Sequence, residues 1–229
     1  MIKLSFLFGI ILGLSHFEGG LVALSAQDRG RQDLLRILQP FSSGALLSLA
    51  LIHLIPFSIM FLPWSSIIFL VTISGLMVLS EFGKPDRLLV LPPKWGQRFL
   101  LSIYALSLGL LIGLDIKSGL RLAIIATIVG IPSQFVQGVK GFANKSSQLD
   151  RKEFFERLFL TSLPVPLTIL IIQRLSPWLN PFSSGLLISF ATAVILYQGI
   201  LEFRIPYPFQ FSPLKIFYFL TGVFIIYCL

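Results

Sequence analysis

The sequence predicts an all-α integral membrane protein of eight transmembrane helices, forming one domain over residues 1–229. Three observations predict it. Hydrophobic side chains make up 55% of the chain and charged ones 12%, about half the ~25% charge of a soluble domain. The apolar residues cluster in runs near the roughly 20 residues that a membrane-crossing helix needs. Lys and Arg concentrate in alternate connections between those runs, as they do in the cytoplasmic loops of membrane proteins.

The runs lie at 2–24, 41–62, 64–82, 99–114, 120–139, 158–172, 182–201 and 214–229. Each is expected to be helical, because hydrocarbon offers no partner to an open backbone N–H or C=O. The fourth and sixth are short for a full crossing. Grouped by connection, helices 1–3 occupy residues 1–83, helices 4 and 5 occupy 97–140, and helices 6–8 occupy 157–229. The first run has the look of a signal peptide, with Lys3 before it and Ala23-Leu24-Ser25 behind it. Glu18 and Gly19-Gly20 interrupt that pattern and favour a retained helix.

Fourteen of the 18 Lys and Arg residues lie in the first, third, fifth and seventh connections, Arg36, Lys84, Lys140, Lys145, Arg151 and Arg204 among them. Lys3, Lys117, Arg121 and Arg174 lie on the opposite side. The expected orientation has both termini non-cytoplasmic, in a plasma or inner membrane. Pro40-Phe41-Ser42-Ser43-Gly44 opens the second helix and Pro181-Phe182-Ser183-Ser184-Gly185 the seventh. Those helices enter from opposite faces, so the pair fits an inverted repeat of three, two and three helices, a transporter arrangement.

Several function classes are excluded at this level. The formal net charge of +8 reflects loop residues, with no basic stretch interleaved with aromatics, so no nucleic-acid partner is expected. Cys228 is the sole cysteine, which rules out an intrachain disulfide and a cysteine-based metal site. No nucleophile motif or phosphate loop is present, and Asp115 near an interface has no histidine nearby in sequence, so an enzyme is not expected. Nor is a resident cofactor.

Polar groups in lipid are costly and mark candidate sites. His16 and Glu18 lie in the first helix, two residues apart, and would share a ligand only if Gly19-Gly20 unwound it. His53 precedes Pro56, which frees the carbonyl of Ile52. In the fifth helix Pro132 frees the carbonyl of Ile128, Ser133 and Gln137 share a face, and Gln134 adjoins it. Broken helices carrying oxygen-bearing side chains line transporter pathways. The same groups would serve equally for hydrogen bonding between helices.

The order of these features resembles the Zrt/Irt-like (ZIP) family of divalent-metal transporters. The second helix from Ser43-Gly44 to His53-Leu54-Ile55-Pro56 is similar to that family's second helix. Gly130-Ile131-Pro132 through Arg151-Lys152-Glu153 looks like its fifth helix and following loop. Leu163-Pro164-Val165-Pro166-Leu167 looks like its sixth helix, and Gly185 to Glu202 like its seventh. The resemblance implies a transporter of zinc, iron or manganese working by alternating access. This chain departs from the family at its metal motifs. Tyr104-Ala105-Leu106-Ser107-Leu108-Gly109 stands for His-Asn-x-x-Asp-Gly, and Val129-Gly130-Ile131-Pro132-Ser133-Gln134 for His-Glu-x-Pro-His-Glu. Residues 83–97 contain no histidine where the family has a His-rich loop.

The expected site therefore has His16, Glu18 and His53 as metal ligands, with Pro56, Pro132, Ser133, Gln134 and Gln137 along the pathway. The expected partners are the lipid bilayer, a metal ion or another small solute as cargo, and a second copy of the chain. The alternative is a non-transporting ZIP-like component that binds partner helices, as the lost ligands suggest.

Overall fold

Long apolar runs with few charges satisfy their backbone internally, and the chain obeys this throughout what is described. The computed structural model describes residues 2–25, 28–82, 94–115, 120–143, 150–203 and 213–229. Among them all regular structure is helical. The helices are α1 (Ile2–Ser25), α2 (Asp28–Ser48), α3 (Ile55–Phe61), α4 (Ser65–Phe82), α5 (Lys94–Asp115), α6 (Leu120–Ala143), α7 (Arg151–Ser162), α8 (Pro164–Leu175), α9 (Pro181–Phe203) and α10 (Pro213–Cys228). A π-helical segment, Leu49–Leu54, runs α2 directly into α3, and a 3-10 turn, Ser176–Trp178, closes α8.

Five helical stretches are long and apolar enough to cross a membrane: Leu4–Ser25, Gln32–Met60, Arg121–Phe142, Arg151–Trp178 and Pro181–Phe203. Three shorter apolar helices accompany them, Ser65–Val78, Ser102–Leu114 and Pro213–Cys228. The chain is a multi-pass membrane protein. Its outward faces agree: Leu70, Val71, Phe217 and Phe224 are each more than 60% exposed. Each large apolar side chain left in water forgoes about 1.5–3 kcal/mol, whereas lipid covers it. Trp64 and Trp178, also exposed, sit at helix ends where indole rings favour the membrane–water boundary.

Helix ends differ from the sequence expectation most at the starts of the second and sixth helices; the fourth, expected to be short, also starts earlier, at Lys94, and the fifth runs on to Ala143. The second helix begins at Asp28, well before residue 41. Leu34, Leu35, Ile37 and Leu38 alternate with charge there, and Arg36 pairs with Asp33 at 3.2 Å on the exposed side. Pro40 lies inside that helix. The sixth helix, expected to be short, begins at Arg151, where the Asp150 carboxylate accepts from the Arg151 N–H at 2.7 Å. An exposed Glu153–Arg157 ion pair follows. Pro164, which has no N–H to donate, then separates α7 from α8 at Leu163. Lys84, Arg87, Lys117, Lys145 and Arg204, part of the charge pattern used for orientation, lie outside the described residues.

Small residues set the packing. α1 lies along α6: a Cβ at Gly19 would strike the Phe135 carbonyl, and one at Gly138 the His16 carbonyl. α2 lies along α10 in the same way, with Gly44 against Phe219 and Gly222 against Phe41. α9 runs through the middle, packed on α2, α4 and α5. Leu12, Leu46, Leu49, Leu108, Ile112, Ile169 and Ile195 form a buried apolar core around it.

Candidate functional site

A carboxylate inside such a bundle needs hydrogen-bond donors, since an unpaired charge in an apolar interior is prohibitively costly. Glu202, near the end of α9, is only 3% exposed and is the buried carboxylate among the described side chains. Donors reach it from three helices. Ser42 Oγ on α2 donates to Glu202 Oε2 at 2.5 Å. Ser133 Oγ on α6 and Gln198 Nε2 on α9 both donate to Oε1 at 2.9 Å. Gln39 Nε2 holds the Glu202 backbone carbonyl at 2.7 Å, and Ser43 Oγ holds that of Gly199 at 2.8 Å. Gln137 Nε2 donates to Ser133 Oγ at 3.5 Å, extending the network along α6.

Two charged or titratable neighbours complete the surroundings. Tyr104 of α5 is fully buried beside Ser133 and Glu202, yet its Oη has no hydrogen-bond partner. Lys140 follows Gln137 by three residues on α6, and its ammonium is within electrostatic reach of Glu202. Helical spacing places Ser133, Gln137 and Lys140 along one stripe of α6.

A second polar layer adjoins this cluster. Leu12 of α1 and Leu108 of α5 meet over Gly130, where a Cβ would collide with both. One turn further along α6, Gln134 faces His16, which itself lies one turn beyond Leu12. Both ring nitrogens of His16, Nε2 of Gln134 and Oγ of Ser107 are buried without a hydrogen-bond partner. Such groups normally bind water or a guest.

Of the residues expected from sequence, Ser133 and Gln137 join the Glu202 cluster, and Gln134 and His16 form the adjoining layer. The other expectations separate from it. Glu18 is exposed, Pro56 is exposed, and Pro132 is half-buried within an unbroken α6. His53 is half-buried, with Nε2 3.4 Å from the Ile226 carbonyl of α10. Among the described residues no group of three His, Cys, Asp or Glu could hold a metal ion, so His16, Glu18 and His53 do not assemble as expected. The reason is packing. Gly19 and Gly20 do not unwind α1; they let it approach Phe135 of α6 and Leu158 of α7 closely. His16 then faces inward while Glu18 turns away, and His53 sits against another helix.

Glu202 did not emerge from sequence reasoning because it stands where the apolar run ends. Two signals pointed to it: the Gln198/Glu202 spacing of one helical turn, and the Ser42-Ser43 pair of the repeated pentapeptide. No protein-family model matches the chain, and comparison with curated proteins finds no match.

Proposed function

We propose that this protein is a membrane transporter of ZIP-like architecture that carries a small cation past Glu202. The observation that supports it is the buried Glu202 carboxylate held by oxygen- and amide-bearing side chains of α2, α6 and α9 within an apolar bundle. A carboxylate buried at this cost within a membrane protein is a functional candidate.

The reading includes eight crossing helices, both termini non-cytoplasmic, and a three-two-three inverted repeat. An inverted repeat exchanges helix 1 with 6, 2 with 7, 3 with 8 and 4 with 5. Under that exchange α1 on α6 becomes α8 on α5, and α2 on α10 becomes α9 on α4. All four pairings occur. Glycines serve the α5–α8 contact too, with Gly109 against Val165 and Thr168 and Gly113 against Ile172.

The test is uptake by purified protein in liposomes, with zinc, iron, manganese and sodium ions offered separately. Glu202→Gln keeps the shape and removes the charge. Losing one charge-assisted interaction of about 1.5–3 kcal/mol lowers cation handling roughly ten- to hundredfold. Undiminished flux in folded Glu202→Gln protein would sink the assignment. A second reading is favoured by the same hydrogen bonds. Both Glu202 oxygens are already occupied, so the cluster would serve a non-transporting component as an interhelical clamp. That reading expects no flux of any ion from well-folded wild-type protein.

A further inference from the structure

We infer that the Glu202 site is built for a hard monovalent cation of the sodium type, and not for a transition-metal dication. The inference rests on the reading of Glu202 as a cation-pathway residue and names the cargo class.

Charge is the first argument. One carboxylate neutralises one positive charge. A dication seated on Glu202 would keep a net charge in an apolar interior, where uncompensated charge is heavily penalised. The other charged group within reach, Lys140, adds positive charge. The remaining described carboxylates near the bundle, such as Glu18, face outward.

Donor chemistry is the second. Hydroxyl, amide and carboxylate oxygens suit hard cations, while imidazole and thiolate suit zinc and its neighbours. Around Glu202 stand the hydroxyl oxygens of Ser42, Ser133 and Tyr104 and the side-chain amide of Gln198, with no imidazole or thiol bonded to the carboxylate.

Every group now donating to Glu202 is also able to reverse its role. A serine hydroxyl carries lone pairs as well as a proton, and an amide presents either nitrogen or oxygen by turning about its last bond. A helical hydroxyl can hand its proton to the carbonyl four residues back. Ser162, Thr168, Ser189 and Thr192 do so in this chain, at 2.6–2.8 Å. Ser42 and Ser133 would then offer oxygen lone pairs, and Gln198 its Oε1, with no movement of the backbone. Tyr104 Oη, buried beside Ser133, supplies a further oxygen. The hydrogen-bonded arrangement is thus the cation-free state of a site that rearranges by side-chain rotation. Lys140, exposed on α6, opposes a bound cation through its charge alone.

The experiment is equilibrium binding of radioactive sodium to the purified full-length protein in detergent, with potassium, manganese and zinc as competitors. A parallel sodium-flux measurement uses vesicles. Sodium should bind saturably. Glu202→Gln and Tyr104→Phe should weaken it by about tenfold or more, and Lys140→Met should strengthen it several-fold. If Glu202→Gln does not fold, the opposite shifts of Tyr104→Phe and Lys140→Met still decide the matter. Zinc or manganese displacing sodium at lower concentration than sodium itself overturns the inference but leaves the transport reading intact. So does vesicle uptake of a dication with no sodium binding. Sodium bound with these shifts but not carried upholds the site and defeats the transport reading. Folded wild-type protein that binds no sodium overturns the inference outright.

Discussion

Glu202 depends on residues far from it in sequence, which makes its network testable one side chain at a time. A hydrogen bond to a charged acceptor contributes about 1.5–3 kcal/mol, and losing the donor leaves part of a buried charge unanswered. Ser133→Ala should therefore lower stability by about 1–3 kcal/mol, read from unfolding of purified protein in mild detergent. Ser42→Ala should do the same. Because both serines address one carboxylate, the double variant should lose less or more than the sum, and a double-mutant cycle measures that coupling. Additive losses would mean that the two serines act independently. Restoring shape without charge, as in Glu202→Leu, separates stability from transport. An apolar replacement of a buried ionic group is often neutral or stabilising. Such a variant should fold and carry nothing.

At the scale of elements, close helix approach is the governing feature. Gly138→Leu would drive a branched side chain into the His16 carbonyl of α1. Overpacking of this kind costs about 1–3 kcal/mol or more. A lowered melting temperature in detergent is expected, whereas Gly75→Ala, inside α4 with open space for its Cβ, should not lower it and should raise it slightly. The helices themselves were legible because apolar length speaks directly to lipid. Their ends were not. α2 starts inside a segment rich in charge, and α7 starts at a local Asp150 cap, so neither end follows from hydrophobicity. The repeated pentapeptide shows the same limit. Pro181 opens α9, with Asn180 Oδ1 accepting from the Ser183 N–H at 2.7 Å, while Pro40 lies within α2. One string of residues meets two environments. Within the site, Ser133 and Gln137 were readable from their spacing on one helix. Glu202 was not, because its burial is conferred by the serines of α2 and the stripe of α6. The metal set of His16, Glu18 and His53 failed for a tertiary reason as well, since His16 faces α6, Glu18 is exposed and His53 sits against α10.

For the whole molecule, sidedness is the accessible question. Cys228 is the sole cysteine and is exposed near the end of α10. On the proposed orientation, with the C-terminus non-cytoplasmic, a membrane-impermeant maleimide should label it in intact cells without permeabilisation. Labelling only after permeabilisation would reverse the orientation. The two halves of the proposed repeat also differ by one local event. The rod from Asp28 to Phe61 contains the π-helical turn Leu49–Leu54, where the Ile55 N–H reaches the Ala50 carbonyl, whereas α9 is described as an uninterrupted α-helix. A π turn holds a surplus residue, a screw thread cut one notch too long. Tightening it to α geometry would turn one end of the rod against the other by about a quarter turn, since an α-helix advances 3.6 residues per revolution. Ser42 and Ser43 sit on one side of that notch and His53 within it. The rod is thus a torsion shaft, able to pass a twist between the serines that hold Glu202 and its far end at Phe61.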